Sequence, residues 1–456
     1  MIISTIKKFA NNKTFIVMAL SLAIPVAIQN LLNTSINLID SFMVSSLTAA
    51  SVSAVGMSNK FFYAFNCILF GLVSGGCIFT SQFYGAKDYV GIKKVFSITL
   101  IISFLVGLIF FIITFCNPIF VIKIFTNREE IINEGWKYLK IVCLSYLLAP
   151  LIMTSLLILR SMGKVKIAVI VSICSILVNI ILNYLLINGN LGFPRLEVRG
   201  AAIATVFARI VEVIIYYIYL FKTDKELFSN IKEIFSFDIS YFKKMLPFTI
   251  PVVINECLWG TGSALYFVAY GRLSTESSAA LTIVSVIQDM IFTFFIGVGS
   301  ASTTIIGNTL GAGEFKKAKE YAHNMIIIAL AMSIFVGVFL FLMTPLVVSL
   351  YSNLGINVQN LIRNMLLITL IYVPFRSIDF LMICGIFRPG GDTTVSIFLD
   401  CGSMWLVGIP IAFLGVYVFK LNTILLFFMV NIECALKTIG SMIRFFQYKW
   451  IKNVIY

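Results

Sequence analysis

Charge is scarce in this chain and histidine is nearly missing. Aspartate, glutamate, lysine and arginine make up 12% of the 456 residues, against 60% hydrophobic residues and a mean hydropathy of +1.00. A soluble domain carries about 25% charged residues, so a water-soluble enzyme is excluded. The single histidine, His323, leaves no material for a His-rich metal centre or a histidine acid–base pair. A disulfide framework is missing too. Cys67, Cys77, Cys116, Cys143, Cys174, Cys257, Cys384, Cys401 and Cys434 all lie inside apolar runs, whereas structural disulfides would need pairs in extracellular loops. Acidic residues are also few, 20 against 34 Lys and Arg, giving a formal net charge of +14. In a soluble protein that excess would suggest nucleic acid; in an apolar chain the distribution of cations around membrane spans is the first explanation to test.

Long hydrophobic runs dominate. A spanning helix needs about 20 mostly apolar residues, and twelve such segments can be read: 15–40, 52–80, 95–117, 137–159, 165–187, 199–221, 245–270, 279–306, 322–349, 361–386, 394–418 and 421–447. Almost the whole chain goes into these helices and short connections, which leaves no sizeable soluble domain. The run at 15–28 continues into a polar-striped helix without a small-residue cleavage pattern, unlike a removable signal peptide. With the N-terminus placed inside, alternate loops carry Lys7, Lys8, Lys13, then Lys87, Lys93, Lys94, then Arg160, Lys164, Lys166, then Lys222 to Lys244, then Lys316, Lys317, Lys319, then Arg388, and a tail from Lys437 to Lys452. The opposite loops hold far fewer, and Lys60, Arg209 and Arg376 fall within spans. This asymmetry puts both termini in the cytoplasm and accounts for the net charge without a nucleic-acid partner. Abundant Phe and Lys with little Trp suggest an AT-rich coding bias and a prokaryotic plasma membrane.

The two halves repeat at a near-constant offset. Pro25 in Ala-Ile-Pro-Val matches Pro251 in Thr-Ile-Pro-Val 226 residues on, and the same offset pairs Gly71 with Gly297, Gly85-Ala86 with Gly311-Ala312, and Lys93 with Lys319. At 228 residues Arg160 pairs with Arg388 and Gly163 with Gly391. Six spans per half is an even number, so both halves share one topology, related by a pseudo-twofold axis along the membrane normal. The expected fold is an all-α integral membrane protein of two six-helix lobes: 1–222, a cytoplasmic linker 223–241, and 242–456. In the linker, Leu227, Phe228, Ile231, Ile234 and Phe235 recur at helical spacing among Lys225, Lys232 and Glu233, a pattern that suits an interfacial helix or a plain solvated connection.

Ionisable groups inside spans carry the functional signal, because each costs about 2.5–3.5 kcal/mol at the bilayer centre on insertion scales. In the first span Asn30, Asn33, Asn37 and Asp40 form a stripe on one helical face, rising roughly 15 Å. Pro25 just before it frees a carbonyl and permits a kink, and Pro251 does so in the second half. Asn33 and Asn37 are candidates for contact with a substrate. Asn179 and Asn183 share a face of the fifth span. One carboxylate with amide and hydroxyl oxygens is a hard donor set suited to Na+ or a proton; interhelical hydrogen bonding is the competing role for the amides. In the second half Glu256 takes the place of Asn30, Asp289 lies midway along the eighth span, and Asp379 follows Arg376 by three residues, near enough to pair with it. Asp400 and the Arg209/Glu212 and Glu433/Lys437 pairs read as structural from their local spacing. Lys60 suits a counter-ion for Asp40 or Asp289, or a snorkelling side chain.

In order along the chain, Leu22-Ala-Ile-Pro25 with Ile39-Asp40-Ser41, Gly71 through Gln82-Phe-Tyr-Gly85-Ala86-Lys87, Arg160-Ser-Met-Gly163, Leu246-Pro-Phe-Thr-Ile-Pro251, Gly307-Asn-Thr-Leu-Gly311-Ala312 and Phe387-Arg388-Pro-Gly-Gly391-Asp392 make a set that resembles the MATE (multidrug and toxic compound extrusion) transporters, NorM-like branch, over essentially the full length. The resemblance implies a V-shaped pair of lobes around a cavity that extrudes small cationic amphipathic drugs in exchange for Na+ or H+, by a monomer without other cofactors. It carries the first-lobe ion site over to Asp40, Asn179, Asn183 and, in Gly200-Ala-Ala-Ile-Ala-Thr205, Thr205, and the second-lobe acids to Glu256 and Asp379, with Asp289 resembling an acid of some members. Na+ would be held at Asp40 or Glu256. Some members have an aspartate where this chain has Asn183, so a two-carboxylate first-lobe site is not available. The nearest alternative is a lipid-linked oligosaccharide or lipid II flippase of the same superfamily, which favours a basic cavity. A major-facilitator carrier would have an arginine-rich loop where Tyr84-Gly-Ala-Lys-Asp-Tyr-Val-Gly stands, and a membrane enzyme would have intramembrane His or Cys/His clusters.

Overall fold

The computed structural model describes residues 12–223 and 237–456, without the side chains of 36–38, 41 and 223. Asn37 and the linker pattern around Leu227 and Phe235 therefore lie outside what is described. The described residues form helices, turns and loops and no strand, as they must if the backbone satisfies its own hydrogen bonds in hydrocarbon. In chain order the helices are α1 (Lys13–Val44), α2 (Ala49–Gly85), α3 (Tyr89–Cys116), the short α4 (Pro118–Lys123), α5 (Glu129–Val142), α6 (Ser145–Ser161), α7 (Lys166–Asn188), α8 (Val198–Thr223), α9 (Ile239–Gly271), α10 (Thr275–Gly311), α11 (Phe315–Leu350), α12 (Ile356–Phe380), α13 (Thr393–Ser403), α14 (Ile409–Tyr417) and α15 (Thr423–Phe446). A π-helical stretch, Leu381–Phe387, extends α12, and another, Met404–Gly408, joins α13 to α14.

Among the described residues eleven stretches are long and apolar enough to cross a membrane, counting α13, its π-helical extension and α14 as one, or twelve when α5 and α6 are taken as one span bent by 51°. That bent pair is the span expected at 137–159. At the bend, i→i−3 bonds (Leu144 N–H to the Ile141 carbonyl, Tyr146 N–H to the Cys143 carbonyl) replace the α pattern. The Tyr146 carbonyl there packs against Gly107, where a Cβ could not fit. The outward faces are apolar: α11 exposes Ile334, Phe335, Val338, Phe341 and Leu342, the composition of a lipid-facing surface.

The repeat is visible in the helix ends. Thr48 caps α2 by accepting from the Ser51 N–H at 3.2 Å, and Ser274 caps α10 by accepting from the Ser277 N–H at 3.0 Å. At the other ends the Asp88 N–H reaches the Phe83 carbonyl at 2.9 Å and the Glu314 N–H reaches that of Thr309 at 3.0 Å. The residue in the left-handed region is Lys87 (φ 58°) in one turn and Gly313 (φ 75°) in the other. Gly163 and Gly391 (φ 79° and 75°) likewise close matching turns after Arg160 and Arg388.

Packing divides the chain into two compact units, one of Ile28–Val253 and the other of the chain up to Ala27 together with Ile254–Tyr456. The boundaries fall inside α1 and α9, shortly after Pro25 and Pro251 and 226 residues apart, where the sequence had divided the chain at 222 and 242. The start of each repeat's first helix thus packs with the opposite repeat. In the first unit Gly71 lies against Val253: an added Cβ would stand 2.6 Å from its Cα. In the second, Gly297 lies equally close to the Ala23 carbonyl. The repeated glycine marks these two helix crossings, where only a residue without Cβ lets the backbones meet. Phe61, Phe62, Phe65, Phe110 and Tyr146 form an aromatic cluster in the first unit. In the second, Phe15, Ala19, Phe387, Phe445 and Trp450 share one core, and Val284, Ile291, Leu340, Ile362 and Phe427 another.

Candidate functional site

Each unit holds a polar cluster inside its helices. In the first, α1 brings Asp40 against α7. Asn179 and Asn183, one helical turn apart, face inward and are 2% and 1% exposed. The Asn183 Nδ2 donates to Asp40 Oδ1 at 2.5 Å and to Asn179 Oδ1 at 3.1 Å. One amide NH2 group thus sits between two acceptor oxygens. The Asn183 Oδ1 is buried and, among the described residues, has no hydrogen-bond partner; rotating the amide would bring a third oxygen to the same point. Buried orphan acceptors are costly, about 1–3 kcal/mol each.

Of the remaining residues expected there, Thr205 on α8 turns its hydroxyl back to the Ala201 carbonyl at 3.0 Å rather than toward Asp40. Asn33 is half-buried on α1. Lys60 is exposed and, among the described residues, makes no ion pair with Asp40 or Asp289. Arg209 pairs with Glu212 at 3.1 Å, as their spacing indicates, and Glu212 also accepts from the Ser175 hydroxyl at 2.6 Å. Arg209 lies near enough to act electrostatically on Asp40.

The second unit's cluster is richer in charge and differs from the sequence reading in its pairings. Glu256 on α9 receives Arg388 Nη2 at 2.6 Å, although the sequence offered it no local partner. Arg388, read as a loop cation, is buried, as is its repeat counterpart Arg160. Asn255, next to Glu256, donates to Asp400 Oδ2 at 2.9 Å. Lys437 Nζ binds Asp400 Oδ1 at 2.7 Å, not Glu433, which instead accepts from the Tyr266 hydroxyl at 2.5 Å. Arg376 and Asp379 do not pair with each other. Arg376 donates to Asn431 Oδ1 at 3.1 Å, and Asp379 Oδ1 accepts from Thr438 at 2.7 Å. The local i,i+3 and i,i+4 pairings lost because α15 presents Asn431, Glu433, Lys437 and Thr438 to three neighbouring elements at once. Asp379 is 5% exposed, and its Oδ2 has no hydrogen-bond partner. Asp289 is exposed on α10, one residue after Gln288, which donates to Thr369 at 2.9 Å.

Both π-helical stretches border this cluster. Leu381–Phe387 ends at Arg388 and lets the Gly385 and Cys384 carbonyls accept from Ser302 and Thr303 of α10. Met404–Gly408 leaves Gly408 beside Tyr266 and Glu433, where a Cβ would collide with both. Such bulges recur at functional sites. Arg388, Lys437, Asn255 and Thr438 were missed as site residues. The repeat of Arg160 in Arg388 was the available signal for the first; no sequence signal distinguished Lys437 from a local helix pair. No group of three His, Cys, Asp or Glu among the described residues could hold a transition metal.

The chain is similar to known proteins over nearly its whole length. Over 437 residues, 96% of this chain and 93% of the relative, it is 24% identical to a protein named "Probable multidrug resistance protein NorM" of Thermotoga maritima. It is also 24% identical over 454 residues to "Uncharacterized transporter YisQ" of Bacillus subtilis, covering 99% and 95%. Among solved structures, a MATE in complex with MaL6 superimposes with a TM-score of 0.84 at 20% identity, covering 95% of this chain and 96% of that one. A MOP superfamily transporter from Pyrococcus furiosus, described as having a binding pocket of reversed polarity, does so with the same score and coverage. The MatE family model matches twice, over residues 25–185 and 251–414, beginning at the two prolines that open the repeat. The chain belongs to the MatE family.

Proposed function

We propose that this protein is a multidrug efflux antiporter of the plasma membrane, with both termini in the cytoplasm, that exports organic cations in exchange for Na+ or H+. The observation that carries this reading is a pair of intramembrane carboxylates that make no ion pair among the described residues: Asp40, which accepts from the Asn183 amide, and Asp379, held on one oxygen by Thr438. Relatives named as multidrug resistance proteins support the transport class. Glu256 is neutralised by Arg388, so we assign the exchange to Asp40 and Asp379.

An organic cation and a small ion compete for the same negative charge. When Na+ or a proton occupies the carboxylate, the drug loses its counter-ion and leaves. Coupling requires only that the two ligands have different affinities in the two states. At Asp40 the small ion replaces the Asn183 NH2 between Asp40 Oδ1 and Asn179 Oδ1, and the amide turns its free oxygen inward. Membrane potential supplies about 2.3 kcal/mol per charge per 100 mV; one monovalent drug against one ion gains nothing from it, whereas two acid sites admit two ions and make exchange electrogenic. The test is ethidium efflux from everted vesicles with Na+ and H+ gradients imposed separately. Asp40→Asn and Asp379→Asn are each expected to cut gradient-driven efflux at least tenfold. Unchanged efflux in both would make the acids structural.

A further inference from the structure

Lys437 is an intramembrane cation that the exchange described above does not use. It is 13% exposed on its side chain and paired with Asp400, itself 12% exposed, at 2.7 Å. The next residue, Thr438, donates to Asp379, so Lys437 leaves α15 beside the carboxylate that has a free oxygen. Asp379 lies near enough to Lys437 for their charges to interact, as does Glu433 one turn away on α15. The ammonium sits on a flexible four-carbon stem with three rotatable donors, and the Asp379 Oδ2 has no hydrogen-bond partner. Asp400 does not depend on Lys437 alone, because Asn255 donates to its other oxygen.

From this arrangement we infer that Lys437 is a tethered counter-ion that moves between Asp400 and Asp379. Seated on Asp400, as observed, it leaves Asp379 open to an incoming cation; seated on Asp379, it takes the place of that cation and expels it. The step is a swap of salt-bridge partner with no proton transferred and no bond broken. A bare buried carboxylate is expensive, and the tether spares Asp379 that state after its ligand leaves. Asp400 and Lys437 are thereby positioning residues for exchange at Asp379. This inference rests on the antiporter reading for the identity of the competing ligands.

The experiment measures ethidium binding to the purified transporter in nanodiscs, at fixed pH and without Na+, for Lys437→Gln, Asp400→Asn, the double variant, and each of these with Asp379→Asn. Lys437→Gln removes the competitor and is expected to tighten binding about tenfold, and Asp400→Asn, which frees Lys437 to move to Asp379, to weaken it about tenfold, within the range of ordinary coupling. The double variant, which keeps the buried charge balanced if Lys437→Gln alone fails to fold, is expected to bind as tightly as Lys437→Gln. Asp379→Asn is expected to erase all three differences. A merely structural pair predicts weakening by both single variants, or no effect of either, and that result overturns the inference. If wild type and Asp379→Asn bind ethidium equally, the antiporter reading of Asp379 fails first; if Asp379→Asn weakens binding but the two single variants act in the same direction, only the tethered counter-ion fails.

Discussion

The two repeats place an arginine after matching turns, but the arginines meet different chemistry. In the first unit Arg160 donates to the neutral Gln29 amide; in the second Arg388 donates to the Glu256 carboxylate. The first cluster is left with one aspartate among amides, and the second with four carboxylates, two of which, Glu256 and Asp400, already hold internal cations. Duplication conserved the backbone, the caps and the crossings, while the polar interior diverged in charge. A charge-balanced interior depends on each partner far more than an amide-lined one does, and that difference can be tested.

The largest effect is expected from breaking the second-unit pair. Arg388→Met leaves Glu256 buried without its arginine and should cost about 3–5 kcal/mol, whereas Arg160→Met takes a donor from the neutral Gln29 amide, about 1–3 kcal/mol. Thermal unfolding in detergent, followed by thiol labelling of the buried Cys77, Cys143, Cys401 and Cys434, measures both, and Glu256→Met should restore much of the Arg388→Met loss. Equal losses would remove the distinction between the units. The helix crossings should instead behave alike. Gly71→Ala and Gly297→Ala each meet backbone at 2.6 Å and should each cost about 1–3 kcal/mol by overpacking. Gly337→Ala in α11, where a Cβ meets nothing within 4 Å, should stabilise by about 0.5–1 kcal/mol.

The matching turns give a smaller contrast. Lys87 occupies the left-handed conformation that Gly313 occupies in the second repeat, at a strain of about 1–2 kcal/mol. Lys87→Gly should therefore raise the unfolding temperature and Gly313→Ala lower it. The smallest effect belongs to the first unit's surface pair. The Lys94 ammonium donates to Asp238 at 2.8 Å and, with the Ser240 N–H, holds that carboxyl below its usual range of about 3.8. Because the folded value lies below the unfolded one, the contribution is complete above about pH 4 and fades as pH falls through the folded value. The difference in unfolding temperature between wild type and Asp238→Asn should be constant from pH 5 to 8, diminish below pH 4, and shrink with added salt.

Span positions, the repeat and the family were legible because apolar length, Pro25/Pro251 and Gly71/Gly297 are read along one dimension. The Asp40–Asn183–Asn179 cluster was legible for the same reason: two helical stripes, each visible by its own periodicity, meet face to face. The second cluster was not, since its partners lie far apart in sequence. Glu256 and Arg388 are separated by 132 residues and Asn255 and Asp400 by 145, and nothing local announces them. Local spacing even misled, suggesting Glu433–Lys437 and Arg376–Asp379 where tertiary packing offered stronger partners. That the start of each repeat's first helix packs with the opposite repeat was equally hidden.

The claim on which the account rests is that each unit contributes one exchangeable carboxylate. Reversal-potential measurements of ethidium exchange in proteoliposomes, on wild type and on Asp40→Asn and Asp379→Asn, test it directly. The account predicts electrogenic exchange by the wild type and the loss of one coupled ion in each variant; one-for-one electroneutral exchange by the wild type would contradict it.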